Sequence, residues 1–220
     1  MIVFSGSVLT RTGSLLSAAG RRLVRTGQRG KARRQLKGLP RPLKLHVGCG
    51  QVRFDGWVNV DVGASPAVDV IADLTEAVPL ENESCALIYN EHFLEHMTVD
   101  RGVAFLKECH RLLQTGGVLR VAMPSLTETV RQYYDDEWRD QAWIRTYSCE
   151  WIQTRAELLN IAFRNWGHEW LYDEEELERR LREAGFDQTM AATWGESEHA
   201  ELRDRETRPE SRLVFEAVKS

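Results

Sequence analysis

Two short stretches hold the residue types that can do chemistry. In "LHVGCG", Gly48, Cys49 and Gly50 directly follow an alternating apolar run, and the next such run, 58–62, carries Asp61 near its end. Glycines at a strand tip admit a positive φ and let backbone approach a ligand with no Cβ in the way. A carboxylate at the neighbouring tip offers two acceptor oxygens to a diol. The second stretch, "NEHFLEH" at 90–96, groups Asn90 with Glu91, Glu95, His92 and His96, and His168 stands in "NWGHEW" before a helical run. Neutral imidazole is the usual proton acceptor near pH 7.

The glycine turn does not suit a dinucleotide. The nicotinamide fingerprint wants a third glycine where this chain has Arg53, and an acid about 20 residues on. Asp61 comes only 13 residues after Gly48. The connection 48–57 is barely a parallel crossover and has no room for a full helix. The histidines also match the H-x-x-E-H pattern of inverted zinc peptidases. That pattern is short, follows a predicted strand tip and needs a further ligand from another element, so no metal is expected. His96 reads as structural and His92 as facing a ligand, while His168 fits either a packing or a functional role. His110, beside an apolar helical stripe, reads as a packing residue, and His199 in a charged loop has no assigned role.

These residues need a scaffold. From residue 43 strands and helices alternate, which predicts a parallel sheet with crossovers. Strands are expected at 43–47, 58–62, 68–71, 86–89 and 118–123, then two final antiparallel strands in "DQTMAATW" and "SRLVFEAVK". A helix is expected from Asp100 to Gln114, stopped by Gly116-Gly117, and another at 173–184, capped by Asp173 and stopped by Gly185. Between 126 and 170 the pattern breaks into aromatics and charges, among them Tyr133, Trp138, Trp143, Tyr147 and Trp166. Two readings stand: a local core, or a helical insertion that covers the sheet's carboxyl edge and lines an acceptor pocket.

Length and composition fit one domain of 220 residues. No apolar run is long enough to span a bilayer, and four cysteines in this pattern indicate a reducing compartment. Residues 1–42 carry ten of the 29 basic side chains and no acid, which leaves 19 basic against 33 acidic for the rest. This segment is expected to be a basic helical arm, with Leu15, Leu16, Ala19, Leu23 and Val24 at helical spacing. A basic helix on an anionic membrane or nucleic acid, an organellar transit peptide and a solvated arm are its three readings, and a basic arm kept in the mature protein is favoured. Residues 43–220 are then expected to form the single folded domain.

Over "LHVGCG", "GWVNVDV", "DVIADLTEAVPLENESCALIYNEHFLEHM" and "LKECHRLLQTGGVLRVAMPS", and again over "HEWLYDEEELERRLREAGF" and "RPESRLVFEAVK", the sequence resembles the class I S-adenosyl-L-methionine (SAM)-dependent methyltransferases. It is similar in particular to small methyltransferases of the type found with cell-surface polysaccharide genes. The resemblance implies an α/β Rossmann-like fold, a mostly parallel seven-stranded sheet flanked by helices, with SAM as cofactor and S-adenosyl-L-homocysteine as product. It places Gly48, Cys49 and Gly50 around the methionine part of SAM, and Asp61 and Val62 at the ribose. Asp73 goes to the adenine amino group, Leu74 to the ring and Asn90 to the sulfonium. His46 stands where many members carry an acid, and is expected to hydrogen-bond near the amino end of SAM without bringing a formal charge. His168 or His92 is the expected base, with Glu91 or Glu95 orienting it. The expected acceptor is a hydroxyl of a small molecule or glycan, and the expected location is cytoplasmic, peripheral at the membrane. A non-catalytic partner protein is disfavoured by the intact glycine and acid set. An RNA methyltransferase is disfavoured because "NEHF" lacks prolines and the acidic body repels phosphate.

Overall fold

A computed structural model describes residues 30–73 and 80–220. Strands β1 (Leu43–Val47), β2 (Val58–Asp61), β3 (Val70–Ile71), β4 (Cys85–Glu91) and β5 (Leu113–Met123) pair in parallel. β6 (Gln188–Ala191) and β7 (Leu213–Val218) complete the sheet, with β7 antiparallel to both of its neighbours. The order β3-β2-β1-β4-β5-β7-β6 makes seven strands, as expected. The chain winds outward from β1 on one side and from β4 on the other. Their shared carboxyl edge is therefore the switch point where such sheets bind ligands.

The central strands read as near-continuous apolar runs because both faces are covered. Leu45, Ile88, Leu119 and Val121 are buried in one core with Phe105, Leu106, Leu177 and Phe186 from the flanking elements. Helix α1 (Val99–Leu112) supplies Phe105, Leu106 and Cys109 from one face, as its spacing predicts. It is not stopped by Gly116-Gly117. Leu112 passes directly into β5, and the two glycines lie inside that strand. Gly116 has φ +76°, and a Cβ on Gly117 would sit 3.0 Å from the Ala86 carbonyl. The pair thus lets β5 approach β4 where their register shifts, the usual work of a bulge glycine.

The segment 126–170 folds as helices α2 (Leu126–Tyr134), α3 (Ala142–Thr146) and α4 (Arg155–Arg164). Its aromatics divide between a local core and the surface. Trp138 joins Ile144, Cys149, Ile152, Leu158 and Ile161 in a separate small core, whereas Tyr147 and Trp166 stay partly exposed. Helix α5 (Glu174–Glu183) begins at Asp173, whose side chain accepts from the Glu176 N–H. Gly185 follows with φ +106°.

The expected boundary at 43 falls inside the packed domain. Residues 30–37 are helical and bury Ala32 and Leu36 in the main core, while Lys31, Arg33, Arg34 and Lys37 face outward. The apolar spacing from Leu15 to Val24 and the adenine contact at Leu74 lie outside the described residues. Among the described residues no helix is long and apolar enough to cross a membrane.

Candidate active site

The carboxyl edge gathers most of the residues singled out in the sequence. After β1, Gly48 and Gly50 take φ of +68° and +55°. The Gly48 and Cys49 amides both donate to the Val60 carbonyl, so the turn is tied to the tip of β2. Asp61 then accepts from Gly50 N at 2.9 Å through Oδ2 and from Gly63 N at 2.8 Å through Oδ1. Each oxygen keeps lone-pair capacity for a further donor. Val62 is exposed beside it, and Asp73 is exposed two residues beyond β3. Cys49 is buried, and its thiol is pushed up to about 11, chiefly by burial.

His46 stands apart from this group. Its ring stacks on Phe54 at 4.0 Å and donates from Nδ1 to Asn59 Oδ1 at 3.1 Å. Asn59 also brackets Phe54, accepting from its amide and donating to its carbonyl. Burial holds His46 down to about 4, so it is neutral at pH 7. The ring packs the helix-free 48–57 connection onto the sheet. The structure gives it no part in the glycine–Asp61 cradle.

Asn90, at the end of β4, is fully buried, and among the described residues neither its Oδ1 nor its Nδ2 has a partner. His92 follows with φ +49°, an uncommon conformation for a side-chain-bearing residue and one that gathers at functional sites. Its Nδ1 lies 3.3 Å from Glu95 Oε1, although neither Glu95 oxygen makes a well-aligned hydrogen bond. Glu95 has no exposed surface, and burial pushes its carboxyl up to about 8. Burial, with Arg208 and the other histidines adding to it, pulls His92 down to about 3.

His168 reaches this cluster from a distant part of the chain. Trp166 and Gly167, both at positive φ, reverse the backbone after α4. The amides of Glu169 and Trp170 then donate to the Glu95 carbonyl. His168 packs edge-on to His96 at 5.1 Å between ring centroids. Its Nδ1 lies 2.7 Å from the Ala162 carbonyl oxygen. A carbonyl only accepts, so Nδ1 carries the proton and Nε2 keeps a lone pair. Burial lowers both His96 and His168. His92, His96 and His168 line a cavity of about 580 Å³ together with Trp143, Tyr147 and Trp166, and the Trp166 ring lies 5.8 Å from that of His168. The glycine turn and Asp61 are not in its wall; Asn90, two residues before His92, links the two regions.

Glu91 has a role other than the one expected, and Arg120 escaped the sequence reading. Glu91 does not orient a histidine. Its carboxylate accepts from Thr207 N and Oγ1, Arg208 N and Ser211 Oγ, fixing a loop whose Arg208 and Glu210 line the cavity. Arg120 in β5 is fully buried and donates to Glu206 and Glu216, each at 2.6 Å. Partners 86 and 96 residues away leave no local signal. A lone arginine inside an apolar strand was the only hint.

The strand order and the switch-point cradle are those of the Rossmann-like fold of class I methyltransferases. Residues 45–121 match the family described as a methyltransferase domain. A SAM-dependent methyltransferase of Thermotoga maritima, described as a possible histamine N-methyltransferase, has a similar structure. It shares 21% identity over 90% of this chain and 92% of its own, with a TM-score of 0.51. A SAM-dependent methyltransferase of Archaeoglobus fulgidus shares 16% identity over 89% of this chain and 94% of its own, with a TM-score of 0.50. No curated protein matches the chain. The cofactor that goes with this domain is SAM. The residues fit it: Asn90 has two orphaned polar atoms at the switch point, and the Cβ position of Gly50 faces open space. Gly48 differs, because a Cβ there would lie 2.5 Å from Phe93 Cδ2.

Proposed function

We propose that this chain methylates a hydroxyl oxygen of a small molecule or glycan. The observation that carries the reading is the cavity lined by three imidazoles and, beside them, by aromatic rings, with His92 of its lining two residues from Asn90. SAM, when bound, supplies a methyl group on an electrophilic sulfonium. The protein's part is then to hold cofactor and acceptor in line, which can supply much of the rate enhancement. Gly48, Cys49 and Gly50 would hold the methionine part, Asp61 and Val62 the ribose, Asp73 the adenine, and Asn90 the region of the sulfonium. Tyr147 and Trp166 offer ring faces on which a sugar or aromatic acceptor stacks.

A hydroxyl acceptor must lose its proton as it attacks. The histidine cluster is where that proton goes, and His168 is the member whose lone pair is set by a fixed hydrogen bond on the other nitrogen. His92 stands beside it with a buried, unpartnered Nε2. The exposed basic side chains of residues 30–37 suit peripheral contact with an anionic membrane from the cytoplasmic side.

The test is a methyl-release assay against sugars, nucleotide sugars, small phenols and RNA, with wild type and His168→Ala. A turnover on a hydroxyl compound that falls about 10²- to 10⁴-fold in the variant, at unchanged SAM affinity, is the expected result. Methylation confined to RNA or to an amine would overturn the acceptor assignment.

A further inference from the structure

We propose that Glu95, His96 and His168, with His92 beside them, bind a divalent first-row transition-metal ion at the wall of the acceptor cavity. Glu95, His96 and His168 each offer one ligand atom, and these atoms all lie within 4.8 Å of one another. Bound zinc holds such ligands at about 2.0–2.2 Å, so tetrahedral neighbours stand roughly 3.3–3.5 Å apart. Small side-chain rotations close the difference.

Glu95 is the stronger observation. Its side chain is wholly buried, and both carboxylate oxygens lack a hydrogen-bond partner. A carboxylate taken out of water is costly unless a cation or donors compensate it. Lys and Arg do not reach it: among the described residues its ion-pair contacts are His92 at 3.3 Å and His96 at 4.0 Å. His92 Nε2 is likewise buried and unpartnered.

The outer contacts follow the pattern of metal-bound histidines. Such a histidine usually donates its other ring N–H to a carboxylate or backbone carbonyl, which fixes the tautomer and aims the lone pair. His168 does this through Nδ1 to Ala162. His96 presents Nε2 to Glu95, while its Nδ1 faces Gly167, whose Cβ position lies 3.6 Å away. The ligand missing from the H-x-x-E-H sequence pattern is therefore supplied by the loop after α4. The Glu169 and Trp170 amides pin that loop to the backbone of Glu95 itself.

Two or three imidazoles with one carboxylate suit Zn²⁺, Co²⁺, Fe²⁺ or Mn²⁺, whereas Mg²⁺ and Ca²⁺ want oxygen ligands. Three protein ligands leave a coordination position open toward the cavity. An acceptor hydroxyl held there would lose its proton to solvent more readily. Its oxygen would then bond to the methyl carbon as the S–CH₃ bond breaks and its electron pair returns to sulfur. In that state His168 is a ligand and no longer a free base. This consequence alone rests on the hydroxyl reading above; the ion site does not.

The full-length chain, produced without a histidine tag and stripped with chelator, is titrated with Zn²⁺ alone and with Co²⁺ as a spectroscopic probe. We expect one tight equivalent of Zn²⁺, visible d–d bands of tetrahedral Co²⁺, and no comparable binding of Mg²⁺ or Ca²⁺. Glu95→Gln and His168→Ala should each weaken Zn²⁺ binding at least about 10- to 100-fold. The half-buried position of His168 makes its variant the safer fold, checked by SAM calorimetry. Absence of saturable Zn²⁺ and Co²⁺ binding, or binding equal in wild type and His168→Ala, overturns the site. A metal-binding chain that methylates no hydroxyl keeps the site and removes only its catalytic consequence.

Discussion

Thr207 Oγ1 donates to Glu91 Oε2 at 2.6 Å across 116 residues of sequence, and three more donors from the same loop converge on that carboxylate. Glu91 lies between the buried Asn90 at the end of β4 and His92 of the histidine cluster. One buried acid therefore fixes the loop that lines the cavity to the end of β4. Glu91→Ala should cost about 2 to 4 kcal/mol, since it strands donors that are paired to a charge. SAM affinity should hold while the acceptor KM rises. A variant with wild-type Tm and KM would show that the loop does not depend on Glu91.

The glycines and Asp61 separate fold from cofactor binding. Gly48→Ala collides with Phe93 and sits at φ +68°, so it should unfold at markedly lower denaturant than Gly50→Ala, whose Cβ meets nothing. Gly50→Ala carries only the left-handed strain, about 1 to 2 kcal/mol, yet puts a methyl group into the cradle. Asp61→Ala should weaken SAM roughly 5- to 150-fold, as expected for 1 to 3 kcal/mol of lost pairing. Calorimetry and urea melts of the three variants decide. Equal SAM affinity in Asp61→Ala and wild type would remove Asp61 from the cradle.

His46 links stability to acid. Its folded pKa, about 4, lies below the ordinary 6.5, so between those values the unfolded chain binds more protons than the folded one. Stability should therefore fall as pH drops from about 6.5 to about 4, by at most about 3 kcal/mol from this residue. Arg205 also disfavours the charged ring, while Asn59 and Asp61 oppose the shift. Urea melts of His46→Phe should show a shallower loss across that window than wild type. Parallel slopes would assign the acid sensitivity elsewhere.

The basic segment divides at its helix. Deleting residues 1–29 should leave folding and SAM binding intact but reduce association with anionic vesicles at low salt. Deleting 1–42 removes the buried Ala32 and Leu36, and should destabilise the domain by several kcal/mol, judged from about 2–5 kcal/mol for Leu→Ala alone. Equal thermal stability of the two truncations would contradict the packing of residues 30–37.

Local order was legible wherever chemistry and periodicity lay close together in the chain. The glycine turn, Asp61, Asn90 and the Asp173 cap could be read because each is marked by its immediate neighbours. Gly116-Gly117 misled because the same residues that end a helix also permit a strand bulge. His46 matched a motif position, but its role is set by Phe54 and Asn59, which the motif does not contain. The third partner of the His92–His96 pair was in plain view as His168. What joins them is a backbone reversal at Trp166 and Gly167, and spacing alone does not announce that.

The small core around Trp138 and Leu158 is distinct from the one around Leu45 and Leu119. Substitutions well separated in different clusters tend to act additively. The helices that line the cavity can thus accumulate changes without disturbing the sheet beneath them. Under the proposed function, substrate choice becomes the evolvable half of the molecule, free to drift or be redesigned while the half beneath it stays constant.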